Sequence, residues 1–180
     1  MTRKSVKIFS GIAILAFAVL IFFDIEWTNA ISYAVTIAAL LEYAYDRWLW
    51  KVISKKKIPV LAGVYLAKCK SSYVGKPEYT STVTIRQTRS SISILEVIDG
   101  GGICRSTCAS ISGPDEHNTW VLCYTYKSSP LRTETDDPHY GTVIIDITEE
   151  NLTNGKLYGS YFTNRLEQTH GTVCLTKQSH

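Results

Sequence analysis

The sequence predicts an all-β fold, a compact eight-stranded antiparallel up-and-down β-barrel, preceded by a two-helix transmembrane hairpin. Three observations carry that expectation. Two uncharged apolar runs fall within residues 1–57, apolar and polar residues alternate repeatedly through residues 58–180, and turn-forming residues break the alternation at short intervals. The hairpin with its basic juxtamembrane segment is therefore placed at 1–57 and the barrel domain at 58–180.

Ile8 to Phe23 (IFSGIAILAFAVLIFF) carries no charge, and Ile25 and Trp27 extend it toward the roughly 17–25 residues of a membrane helix. Ala30 to Leu41 forms the second run. Tyr43, Tyr45, Trp48 and Trp50 follow it as an aromatic belt suited to a membrane interface. Only Asp24 to Asn29 lies between the runs, so the chain must turn back at once. The rival reading of the first run is a cleaved signal peptide, with Arg3, Lys4 and Lys7 as its basic region. No small-x-small cleavage motif precedes Asp24 and a second apolar run follows directly, which favours an uncleaved hairpin. Lys and Arg resist translocation. Arg3, Lys4 and Lys7 flank the first run and Arg47, Lys51 and Lys55 to Lys57 flank the second, which places both termini in the cytoplasm of a bacterium and the hairpin in its inner membrane. Glu42 and Asp46 stand one helical turn apart, either in the headgroup region near Arg47 or with Glu42 facing a helix interface or wet pore, since a carboxylate in hydrocarbon is costly. Gly11, Ala13, Ala16, Ala34, Ala38 and Ala39 are small enough to let helices approach closely.

Beyond the hairpin, the candidate strands are Leu61–Lys70, Thr80–Gln87, Ser91–Ile98, Cys104–Ile111, Asn118–Tyr126, Gly141–Ile147, Lys156–Thr163 and Gly171–Lys177. Gly75-Lys76-Pro77, Thr88 to Ser90, Asp99 to Gly102, Gly113-Pro114-Asp115, Ser128 to Pro130, Asn151 to Gly155 and Gln168 to His170 separate them. Short strands of this number suit a barrel that holds its own side chains or one small ligand, with a two-sheet sandwich as the alternative. Side chains two apart share one face of a strand. Trp120, Leu122, Tyr124 and Tyr126 thus share one face, as do Leu157, Gly159, Tyr161 and Thr163, continuing to Arg165. Val83, Ile85, Gln87 and Arg89 form a third series, and the three together are expected to bring aromatic rings, a hydroxyl and guanidinium groups to one barrel mouth.

Composition removes several functions. The formal net charge of +3 resides beside the apolar runs. The rest is near neutral and lacks the basic face that a nucleic-acid polymer requires. Cysteine occurs 5 times, an odd set that suits buried thiols in a reducing compartment. Cys104 and Cys108 have no partners to complete a tetrahedral zinc set, so neither metal nor cofactor is expected. His117, His139, His170 and His180 fall in expected turns or at the terminus, with no nucleophile at motif spacing, and read as solvated. The paired acids Glu149-Glu150 and Asp136-Asp137 read the same way. Walker, GxGxxG and HExxH motifs are missing, and Gly100 to Gly102 lacks the Lys and helix of a phosphate loop. No catalytic role is expected.

Several short motifs occur in a particular order behind the hairpin: Leu61-Ala-Gly63-Val-Tyr65, Leu122-Cys-Tyr124-Thr-Tyr126, His139-Tyr-Gly141-Thr142, and Leu157-Tyr-Gly159-Ser-Tyr161-Phe-Thr163-Asn-Arg165 followed by Gly171. In that order the whole chain resembles the two-transmembrane β-barrel effectors of CBASS, the bacterial cyclic-oligonucleotide defence against phage. The resemblance implies a receptor. A partner nucleotidyltransferase would make a cyclic dinucleotide, the cytoplasmic barrel would bind it, and the chains would homo-oligomerise and disrupt the inner membrane, acting on its lipids. A doubly anionic ligand with two bases needs cations and aromatic faces; stacking is worth about 1–3 kcal/mol per base, and a guanidinium grips phosphate bidentately. Arg165 is the expected phosphate contact and Thr163 a hydroxyl donor, with Tyr161, Tyr124 and Tyr126 as stacking or hydrogen-bonding groups and Gln87 and Arg89 as weaker candidates. Core packing is the competing role for each tyrosine, and an ion pair with Glu167 the competing role for Arg165. Two other functions stay open on the residues alone: a membrane-tethered carrier or sensor of a lipid-like ligand, and an inert anchor whose barrel is filled by its own side chains.

Overall fold

The computed structural model describes residues 3–23, 25–53, 58–73, 75, 77–129, 139–165 and 168–178. Of the residues named above, Asp24, Lys55 to Lys57, Lys76, Pro130, Asp136, Asp137, Glu167 and His180 lie outside these, as do the side chains of residues 3–9 and 53. The chain divides into two compact units, Met1–Ser54 and Lys55–His180.

The first unit is a helical hairpin. Helix α1 runs Arg3–Phe22 and α2 Trp27–Ala44, followed by a π-helical turn at Tyr45–Leu49 and a single turn, α3, at Trp50–Ile53. Ala30, Ala34 and Ala38 are spaced i, i+4 and are buried. This row lets α1 approach closely, and Ile12, Ala13, Ala16, Phe17 and Leu20 of α1 are the half-covered positions. Ala34 and Ala38 are thus spent within the hairpin, while Gly11 and Ala39 stay exposed. The outward surface is apolar, with Ile14, Leu15, Phe22, Trp27, Ile31, Val35 and Leu40 all exposed. Among the described residues, however, no helix is long and apolar enough to cross a membrane. One reason is that α2 interleaves Thr28, Asn29, Ser32, Thr36 and Glu42 with its apolar residues. The expected aromatic belt is divided: Tyr43 and Trp48 are exposed and meet edge to face at 5.8 Å, whereas Trp50 is buried.

The second unit is a closed barrel of eight strands: β1 Gly63–Ser71, β2 Glu78–Gln87, β3 Ile92–Ile98, β4 Ile103–Ser112, β5 Trp120–Ser129, β6 His139–Ile147, β7 Lys156–Thr163 and β8 His170–Lys177. Every strand pairs antiparallel with its sequence neighbours, and β8 closes on β1. The up-and-down barrel expected from the alternation is what forms. A five-residue helix, α4 (Glu149–Thr153), intervenes between β6 and β7 where only a turn was expected, capped by the Thr148 hydroxyl accepting from Asn151 N–H at 3.2 Å.

Period-two burial follows the expected faces. Leu122, Tyr124, Tyr126 and Ser128 of β5 point inward, as do Ser81, Val83, Ile85 and Gln87 of β2 and Leu157, Tyr161 and Thr163 of β7. The interior divides along the barrel axis. Leu61, Leu122, Ile145, Ile147, Leu157 and Leu175 are fully buried and fill one end. Gln87 seals that end: its amide oxygen accepts from Leu61 N–H at 2.7 Å and its amide nitrogen donates to Pro59 C=O at 2.9 Å. The Tyr65 hydroxyl also donates to Leu61 C=O at 2.8 Å. The other end is open.

A polar cup at the open end of the barrel

Strand register brings polar residues together at the open end. One rung crosses four strands, pairing Glu96 with Cys104, Cys104 with Ser128, and Ser128 with His139. A second rung joins Tyr126, Gly141 and Thr163, and a third Tyr161, Gly171 and Ser71. Both tyrosines lie over the glycine paired with them. A Cβ on Gly141 would fall 2.3 Å from the Tyr126 ring, and one on Gly171 would fall 2.7 Å from the Tyr161 ring and 1.9 Å from the Lys70 carbonyl oxygen. The glycines are there because the rings occupy the space of a side chain. The result is a cup lined by the non-glycine residues of these rungs together with Tyr73, Tyr79 and Thr169.

Arg165 stands on this lining just past the end of β7. Its Nε donates to His139 Nε2 at 3.4 Å, which fixes that imidazole nitrogen as the acceptor. Its guanidinium carbon sits 5.3 Å above the Tyr73 ring, a cation–π distance. Thr163 and Thr169 hydroxyls lie 2.6 Å apart, and Thr163 N–H donates to Thr169 C=O at 2.8 Å. Two hydroxyls that share one hydrogen bond keep one proton to offer elsewhere. The Tyr161 hydroxyl is buried without a hydrogen bond of its own among the described residues.

Burial controls the electrostatics. Removal from water pushes the Cys69 and Cys104 thiols up to about 12 and the Tyr79, Tyr124 and Tyr126 phenols well above their usual range. Burial likewise raises the Glu96 carboxyl, and the Ser81 hydroxyl, donating to Glu96 Oε1 at 2.6 Å, opposes it.

Of the residues expected at the site, Tyr126, Tyr161, Thr163 and Arg165 converge on the cup. Tyr124 faces inward on β5, one step deeper than Tyr126, and is not in the lining. Gln87 and Arg89 are not brought to the same mouth. β2 runs away from the cup, so its last residue, Gln87, closes the far end, and half-buried Arg89 follows it in the turn to β3. His139 corrects its reading as a solvated loop histidine, because it begins β6, half-buries and lines the cup. Sequence reasoning missed Glu96, Tyr79, Ser128, Tyr73 and Thr169. The first three carried a signal: Glu96 sits where Ile94 and Ile98 set an apolar face, Tyr79 begins the Ser81–Val83–Ile85 series, and Ser128 ends that of Tyr124 and Tyr126. Tyr73 and Thr169 lie in loops, where no period announces them.

A barrel packed solid at one end and cupped at the other, with hydroxyls, aromatic rings and the Arg165 guanidinium around the opening, has the build of a receptor for a small polar ligand. The chain belongs to the Cap15 family: residues 56–177 match the family model described as Cap15, cyclic dinucleotide receptor domain. It is also 30% identical over 160 residues to the CD-NTase-associated protein 15 of Staphylococcus schleiferi, a match that covers 86% of this chain and 82% of that relative. The chain is thus a CBASS effector of the Cap15 type.

Proposed function

We propose that the cup of residues 58–180 binds a cyclic dinucleotide made by a partner nucleotidyltransferase. Binding favours an oligomer of the chain, and residues 1–57, gathered together, disrupt the bacterial inner membrane. The observation that carries the first step is the placing of Arg165 between His139 and Tyr73 at the mouth of a cup walled by Tyr79, Tyr126 and Tyr161. One guanidinium meets a phosphate while the rings offer faces or hydroxyls to bases. The Thr163–Thr169 pair supplies a further donor. A lipid-like ligand is disfavoured, because a buried carboxyl, a guanidinium and several hydroxyls would lose hydration against an acyl chain with nothing in return.

Support for the second step comes from the apolar exterior of the α1–α2 hairpin, which in water would be an extended sticky surface. Ligand drives association only by binding the associated state more tightly.

Calorimetry of the full-length protein in detergent tests the first step against a panel of cyclic dinucleotides and a fluorescent fatty acid. Binding of a panel member, weakened about tenfold to a hundredfold by Arg165→Ala and less by Arg165→Lys, is the expected result. Binding of the fatty acid alone would reverse the reading. Dye-loaded vesicles test the second step, which requires leakage that depends on the bound nucleotide; leakage indifferent to it would count against a gated effector.

A further inference from the structure

An acid in the wall of a cup that receives an anionic guest is out of place if it is charged. Glu96 is such an acid. It faces inward from β3 with 8% of its surface exposed, lines the cup, and shares its rung with Cys104, Ser128 and His139. Among the described residues, the influences on the Glu96 carboxyl are burial and the Ser81 hydroxyl, with no cation among them. Among the described residues its hydrogen bond comes from Ser81 Oγ to Oε1 at 2.6 Å, which leaves Oε2 as the atom able to carry a proton.

The groups that face Glu96 from the packed strands are Cys69 on β1, Tyr79 on β2, Cys104 on β4, and Tyr124 and Tyr126 on β5. His139 lies along its rung, and Arg165 stands beyond His139. The thiols and phenols are neutral in neutral solution, since burial holds the thiols near about 12 and the phenols higher. They supply no counter-charge. Desolvation therefore acts on the Glu96 carboxyl almost unopposed and raises it, with only the Ser81 bond pulling the other way.

We propose that Glu96 serves the cup as a neutral carboxylic acid, donating the proton on Oε2 to a hydrogen-bond acceptor of the bound cyclic dinucleotide. The acceptor is a phosphate oxygen or a ring nitrogen or carbonyl of a base, and both present the same lone-pair chemistry. The proposal rests on the cyclic-dinucleotide reading above. It makes Glu96 a specificity residue: a ligand with an N–H at that point meets a donor facing a donor. It also ties affinity to pH, because the acid must keep its proton to bind.

The test is calorimetry of the full-length protein with cyclic di-GMP, cyclic di-AMP and the mixed GMP-AMP cycle between about pH 6 and 9. Wild type is expected to lose affinity as pH rises. Glu96→Gln, whose amide keeps a donor without a titrating proton, is expected to bind within about threefold of wild type at the low end and to show a flat profile. Glu96→Ala is expected to lose at least about tenfold at every pH. An equal loss across the panel assigns the acceptor to phosphate, and an unequal one to a base. Either supports the proposal. If Glu96→Gln loses binding as fully as Glu96→Ala, the carboxylate accepts rather than donates and the proposal fails. If the Gln variant keeps the wild-type slope, a group other than Glu96 titrates and the proposal fails. If wild type binds no panel member at any pH, the receptor reading itself has failed, an outcome distinct from the other two. The wild-type profile needs no variant to fold.

Discussion

The two tyrosines that wall the cup owe their positions to residues with no side chain. Tyr126 lies over Gly141 and Tyr161 over Gly171, but the obstacles to a new methyl differ. At Gly141 the near atoms belong to the tip of the Tyr126 ring, which can swing aside. At Gly171 the nearest atom is the backbone oxygen of Lys70, which cannot move without the β1–β8 ladder. Gly141→Ala is therefore expected to cost about 1–3 kcal/mol of stability, the usual penalty for overpacking. Gly171→Ala should cost more and shift the midpoint of urea denaturation further. These glycines were visible in the sequence as parts of short motifs, yet their purpose was not, because it depends on cross-strand partners that only register supplies.

At the scale of elements, alternation located all eight strands to within a few residues, since a half-buried antiparallel strand must alternate for its pleat to face both core and water. What alternation cannot express is direction relative to the other strands. Gln87 shares a face with Val83 and Ile85, as expected, but β2 runs antiparallel to β1 and β3 and ends at the sealed end, so Arg89 falls in the turn beyond the strand. Gln87 there does the work of a clasp between Pro59 and Leu61. Gln87→Ala leaves a buried N–H and a buried C=O without partners, at about 1–3 kcal/mol each. The expected outcome is a loss of about 2–6 kcal/mol in denaturant unfolding, with nucleotide affinity at the distant cup unchanged. A comparable loss of affinity would instead return Gln87 to the binding site.

On the scale of the whole molecule, the buried Glu96 carboxyl links stability to pH. Its pKa is raised in the folded barrel from an ordinary value of 4.5, so above that value the unfolded chain releases a proton that the folded chain retains. Folding stability attributable to this group is accordingly full below 4.5, falls as pH climbs toward the folded value, and levels off beyond it. Thermal melts of the full-length protein are expected to show that decline for wild type and to lose it in Glu96→Gln, which keeps the acceptor for Ser81 without a proton to lose. The packing of Leu61, Leu122, Ile145, Ile147, Leu157 and Leu175 across one end has its own corollary. The bore is a blind alley: whatever enters must leave by the door it came through, and no solute can be conducted lengthwise. Any permeability the protein confers on a bilayer has to be sought along its helices.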